Sequence, residues 1–140
     1  MLMKIERLII HAAYTPAEMD IGAEEIDHWH RAKGWRAIGY HHVIRRDGMI
    51  EKGRDLNKNG EVTDEIGAHA AGFNLGSIGV CLVGGMPDFN FTRAQMKALE
   101  HLVGQYESRY PGVEVLGHRD LPGVSKCCPC FDVRAWFSKG

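Results

Sequence analysis

Short apolar runs and longer stretches of helical periodicity take turns along this chain. Residues 5–11, I-E-R-L-I-I-H, predict a buried strand with His11 at its C-terminal end. Ala12 to Asp20 predicts a loop punctuated by Pro16. From Gly22 to Lys33 the spacing predicts a helix, with Ile26, Trp29 and His30 on one packed face and Gly34 placed to stop it. Ile38 to Arg45 and Met49 to Arg54 flank Arg46-Asp47-Gly48, the turn signal of a hairpin. Asp55 to Ala71 is rich in glycine and polar residues and predicts a loop. Ile78 to Val83 is continuously apolar, as a central strand covered on both faces would be, and Gly84, Gly85 and Pro87 end it.

The second half carries the clearest helix, Thr92 to Tyr110. Thr92 and Gln95 form a capping-box pattern, and Met96, Leu99, Leu102, Val103, Tyr106 and Tyr110 recur at helical spacing. Pro111-Gly112 terminates it. Glu114 to Leu116 predicts a short strand delivering His118, and Asp132 is placed to cap a last short helix through Trp136. The alternation predicts one domain over residues 1–140, of α/β class with α+β character: a central mixed sheet flanked by helices.

Composition narrows the function classes. With 17 basic and 18 acidic side chains in 140 residues, no bulk field favours nucleic acid or an anionic membrane. No run approaches the ~18 apolar residues of a membrane span, and residues 1–7 lack the apolar core of a signal peptide. The expectation is synthesis in the cytoplasm, as a monomer. The cysteines, Cys81, Cys127, Cys128 and Cys130, are clustered rather than spread, which favours reduced thiols or a metal site over a disulfide scaffold.

The chemistry concentrates near the C-terminus, in G-H-R-D-L-P-G-V-S-K-C-C-P-C-F-D. His118, Lys126 and Cys128 bring an imidazole, an ammonium and a thiol into one irregular loop, and His11 can supply a third metal ligand from the first strand. No short spacing signature ties them together. Read singly, His11 is equally a strand-end histidine bonded to backbone and His118 a turn residue. Cys127 and Cys130 have C-x-x-C spacing, which leaves a redox pair or a substitute ligand open beside the reading as bystanders. Cys81 reads as a small core residue. Tyr40 and His42, two apart on an expected strand, share a face, which makes His42 a groove candidate; His30 reads as packing with a buried partner, and His28 and His101 as solvated. Asn74 is expected to order backbone, and Asp120 either supports a ligand histidine or serves as an N-cap or salt-bridge partner.

Ordered matches over most of the length carry a resemblance. I-I-H at 9–11, E-I-D-H-W-H-R-A-K-G-W at 25–35, G-Y-H at 39–41, R-D-G at 46–48, H-A-A-G-F-N at 69–74, S-I-G-V-C-L-V-G-G at 77–85 and K-C-C-P-C-F-D at 126–132 resemble the type 2 zinc-dependent N-acetylmuramoyl-L-alanine amidases. The small bacteriophage lysozymes of amidase type are especially similar, and animal peptidoglycan-recognition proteins share the fold more remotely. The resemblance implies one zinc ion per chain held by His11, His118 and Cys128, with Tyr40 and Lys126 in the catalytic positions; His69 matches a groove residue of the family, which divides it between substrate contact and loop packing. It implies hydrolysis of the amide between N-acetylmuramic acid and L-alanine in peptidoglycan. It further implies an endolysin of phage or prophage origin, which reaches the cell wall through a separate pore-forming protein.

Two rival functions are weighed beside it. A muramidase needs two carboxylates about 5–9.5 Å apart, one in an apolar setting, and the acids here fall on helix faces, caps and turns. A catalytically weak binding or regulatory module on the same fold would be expected to lack a ligand, whereas all three are present. A regulatory contact with another protein is compatible with an active enzyme.

Overall fold

The computed structural model describes residues 4–86, 90–124, 128–129 and 131–139, with 138 and 139 described by backbone alone. Seven strands and three α-helices follow one another in these residues: β1 (Arg7–Ala12), β2 (Thr15–Pro16), α1 (Ala23–Ala32), β3 (His42–Ile44), β4 (Ile50–Lys52), β5 (Ser77–Leu82), β6 (Gly85–Met86), α2 (Arg93–Arg109), β7 (Glu114–Gly117) and α3 (Val133–Lys139). Five of the strands make one sheet in the order β4-β3-β5-β1-β7. Its pairings are parallel except for the β3–β4 hairpin, so the sheet is mixed as expected.

β1 and β5 sit at the centre, and both are apolar on their two faces because both faces are covered. Leu8, Ile10, Ile78, Val80 and Leu82 pack with Leu99, Leu102, Val103 and Tyr106 of α2, and Val133 joins from α3. The alternate residues turn the other way. Val43, Cys81 and Val83 meet Ile21, Ile26 and Ile38 around α1, while Ile9 and Leu116 meet Ala70 and Leu121. Burying a Leu- or Ile-sized side chain contributes about 1.5–3 kcal/mol, so the strand alternation fixes which residues face which layer.

The helices begin and end where the sequence signals lie. Thr92 Oγ1 accepts from the Gln95 backbone N–H at 3.0 Å, and Gln95 Oε1 accepts from the Thr92 N–H at 2.9 Å. Asp132 accepts from the Ala135 N–H at the start of α3. Gly34, with φ of +93°, ends α1 in a conformation that disfavours other residues. Two expectations are corrected. Trp29 is 40% exposed, because Ile26 and His30, four residues apart, take the buried stripe of α1 and Trp29 lies off it. The expected loop 12–20 contains β2, a two-residue strand paired with β6, too short to show a period. Among the described residues no helix is long and apolar enough to cross a membrane.

Candidate metal centre

Adjacent parallel strands bring the first two ligand candidates together. Ile10 of β1 pairs with Gly117 of β7, so His11 and His118 follow side by side at the C-terminal ends of those strands. Their ring centroids lie 4.6 Å apart at an interplanar angle of 45°. Cys128 is tied to both strand ends. Its carbonyl accepts from the Arg119 N–H at 2.8 Å, and its Sγ accepts from the Ala12 N–H at 3.1 Å. One ligand atom from each of His11, His118 and Cys128 lies within 4.8 Å of the others.

That donor set fits zinc. A tetrahedral ion with bonds of about 2.0–2.3 Å spaces neighbouring donors roughly 3.3–3.6 Å apart, so small side-chain rotations close the three around it. A backbone N–H pointed at Sγ favours the thiolate, which is the form that binds metal. His11 is buried at 2% exposure, and that burial, with His69, His118 and His41 around it, holds its imidazole well below the usual histidine range. It is therefore neutral, as a metal ligand must be. His118 and Cys128 are only partly buried, which leaves an approach to the cluster from solvent.

Tyr40 stands at the same place. Its ring centroid is 5.0 Å from that of His11. Burial, reinforced by the Cys81 and Cys128 thiols, pushes its phenol well above 10, so it carries its proton. The loop that presents it is fixed by α1: the Ile38 N–H donates to Asp27 Oδ1 at 2.8 Å and the Gly39 N–H to His30 Nδ1 at 2.9 Å. His30 thus has its buried partner, as expected. Asp27 was not singled out by sequence reasoning; a helix-surface aspartate gives no hint of a loop that folds back over it.

His69 and His42 part company. His69, 9% exposed, places its Nδ1 2.9 Å from His11 Nε2 and so lies directly behind the cluster. Burial, then the neighbouring His41 and His118, lowers it to about 3. His42 is not brought to this site. β3 begins at His42, so no strand alternation links it to Tyr40, and it pairs with Val80 on the face turned to α2. There its Nε2 meets the Tyr106 hydroxyl at 2.7 Å, beside a surface hollow lined also by Lys52, Glu61 and Arg109. Asn74 orders backbone as expected, its Oδ1 accepting from the His69 and Ala70 N–H groups. Asp120 accepts from the Gly117 N–H at 2.8 Å and so shapes the turn that carries His118. Cys81 is a free, buried thiol in the core. Lys126, Cys127 and Cys130 lie outside the described residues.

Comparison with known proteins gives one consistent answer. A family described as N-acetylmuramoyl-L-alanine amidase matches residues 1–131. The endolysin of Klebsiella phage KP32 is 42% identical over 138 residues, covering 95% of this chain and 85% of that one. An endolysin N-acetylmuramoyl-L-alanine amidase, LysCS from Clostridium intestinale URNW, has a TM-score of 0.79 at 25% identity, covering 97% of this chain and 85% of that one. A variant of Drosophila PGRP-LB solved in complex with tracheal cytotoxin has a TM-score of 0.78 at 27% identity, covering 97% and 81%. The chain belongs to the N-acetylmuramoyl-L-alanine amidase family and is a peptidoglycan amidase.

Proposed function

We propose that this amidase is a zinc-dependent endolysin, with His11, His118 and Cys128 holding one zinc ion and Tyr40 and Lys126 acting on the scissile amide. The observation that carries the reading is the meeting of those three donor side chains, two from strand ends and one from a C-terminal turn, within 4.8 Å. Zinc in such a place supplies Lewis-acid polarisation of the amide carbonyl and a nucleophilic water at neutral pH.

The chain's own residues then divide the work. Cys128, as a thiolate supported by the Ala12 N–H, offsets part of the ion's charge. Tyr40, held protonated by its surroundings, orients the amide by donating a hydrogen bond and stabilises oxygen as it gains negative charge. It is a hydrogen-bond donor rather than a base, since a phenol raised above 10 keeps its proton at neutral pH. Lys126 enters through the resemblance of K-C-C-P to the family motif; its ammonium would stabilise the same developing charge. His42, facing α2, takes no part at this centre.

Relatives named endolysins suggest the setting, lysis of a bacterial wall from within. In that setting the enzyme is made in the cytoplasm and reaches the wall when a separate pore-forming protein opens the membrane. The test is digestion of purified sacculi with product analysis by mass spectrometry, with and without a chelator. New free L-alanyl amino termini, lost on chelation and regained with zinc, are expected. Reducing sugar ends, or full activity in metal-stripped protein, would overturn the reading.

A further inference from the structure

His69 sits where a metal ligand needs support. Its Nδ1 lies 2.9 Å from Nε2 of His11, with the two rings perpendicular at 90° and their centroids 5.0 Å apart. An N–H in the plane of one ring is thus aimed at the edge of the other, the arrangement of a directed hydrogen bond rather than of stacking. Neither side chain is free to wander. The His69 backbone N–H is bonded to Asn74 Oδ1, and its ring fills a slot left by two glycines. A Cβ on Gly79 would fall 2.6 Å from His69 Cγ, and one on Gly67 would fall 2.6 Å from His69 Cδ2.

The neighbouring histidine is already spoken for. His41 Nδ1 accepts from the Gly79 N–H, so His41 keeps its proton on Nε2 and donates it to the Glu65 carbonyl at 2.7 Å. His69 therefore receives no ring proton from His41. Its own Nε2 is buried with no hydrogen-bond partner among the described residues. Among the described residues, His11 is the hydrogen-bond partner of His69 Nδ1.

We infer that His69 is a positioning residue for the metal centre: it accepts the Nε2 proton of His11 and so fixes the tautomer and ring angle that leave the Nδ1 lone pair of His11 for the ion. The logic is one of elimination. A neutral imidazole has one lone pair and one N–H. If His11 Nε2 accepted from His69 instead, the His11 proton would move to Nδ1 and neither ring nitrogen could take a metal. Metal loading is compatible with only one direction of this hydrogen bond. His11 Nε2–H donates and His69 Nδ1 accepts. A partner of this kind commonly raises metal affinity by about 10–100-fold. The inference rests on the proposed zinc centre and deepens it, and it replaces substrate contact as the role of His69.

The experiment measures zinc affinity by competition with a chromogenic chelator for wild type, His69→Ala and His69→Asn, with circular dichroism and thermal melting of each metal-free protein as fold controls. Asparagine keeps an acceptor near the position of Nδ1, whereas alanine removes it. We expect His69→Ala to bind zinc about 10–100-fold more weakly and His69→Asn to recover most of the loss. In the zinc-loaded wild type, nitrogen NMR of the imidazoles should show His11 protonated at Nε2, with a sharp, exchange-protected proton coupled to His69. That measurement decides the matter even if His69→Ala fails to fold. Equal zinc affinity in all three proteins, or a His11 protonated at Nδ1, overturns the inference while the zinc centre stands. Loss of affinity for substrate with zinc binding unchanged would return His69 to the groove. A wild type that binds no zinc overturns the centre and this inference together.

Discussion

At the scale of single residues the proposed centre separates into groups that would hold the ion and groups that would act on the amide. Cys128→Ser exchanges a thiolate for a neutral hydroxyl, a far poorer ligand, and leaves the Ala12 N–H facing a weaker acceptor. Metal content after dialysis should fall from near one zinc per chain to near zero, and activity with it. Tyr40→Phe keeps the ring beside His11 and removes only the hydroxyl. Zinc content and melting temperature should hold within experimental scatter while kcat falls by roughly 10²–10³-fold, the usual loss for one transition-state donor. A Tyr40→Phe enzyme with full kcat would remove Tyr40 from the chemistry. The meeting of His11, His118 and Cys128 was expected from the ordered motifs and not from any spacing, because His11 and Cys128 are remote along the chain. His69 was half legible. The H-A-A-G-F-N motif marked it, while its bond to His11 exists only once β1 and the 67–74 loop are packed together.

At the scale of elements, Gln95 shows how much a capping pattern can understate. It closes the box with Thr92 as expected, but it is also fully buried and joins three elements. Its Oε1 accepts from Arg46 Nη1, and its Nε2 donates to the carbonyls of Ile44 and Val83 at the ends of β3 and β5. Gln95→Leu keeps the volume but removes four hydrogen bonds and strands the Thr92 N–H, while the Ile44 and Val83 carbonyls keep those from the Val83 N–H and Arg46 Nη1. We expect a loss of about 3 kcal/mol or more in urea unfolding, well above the ~1 kcal/mol of a cap alone. A loss near 1 kcal/mol would mean that water replaces the missing bonds. The long elements were readable because periodicity accumulates over their length. β2 and β6, two residues each, carry no period and form only because each finds the other. The misplacement of His42 has the same origin: alternation was extended two residues before the strand actually begins.

At the scale of the whole molecule, the histidines make stability depend on pH. His42 is lowered to about 4 by burial, with His41 and Lys52 adding to it, and His41 is lowered to about 4 by burial, opposed by the Glu65 carbonyl. In the unfolded chain both return to about 6.5. Between these values the unfolded state binds protons that the folded state refuses, so stability is full above about pH 6.5 and is lost as pH falls toward 4. Each can contribute up to roughly 3 kcal/mol to that loss. Urea midpoints of metal-free protein should drop across this window, and His42→Gln should flatten the drop; an unchanged slope in that variant would contradict the assignment. The mixed sheet, the layers and the helices were legible at this scale, since apolar pattern decides them. The sheet order was not, because it depends on pairing between distant segments.

The hydrogen bond from Ala12 to Cys128 spans 116 positions. Most of the sheet, and the helix α2 that covers it, must fold between those ends before they can meet. A single cut anywhere in that span that lets the two pieces part would therefore separate two of the three donors of the proposed centre.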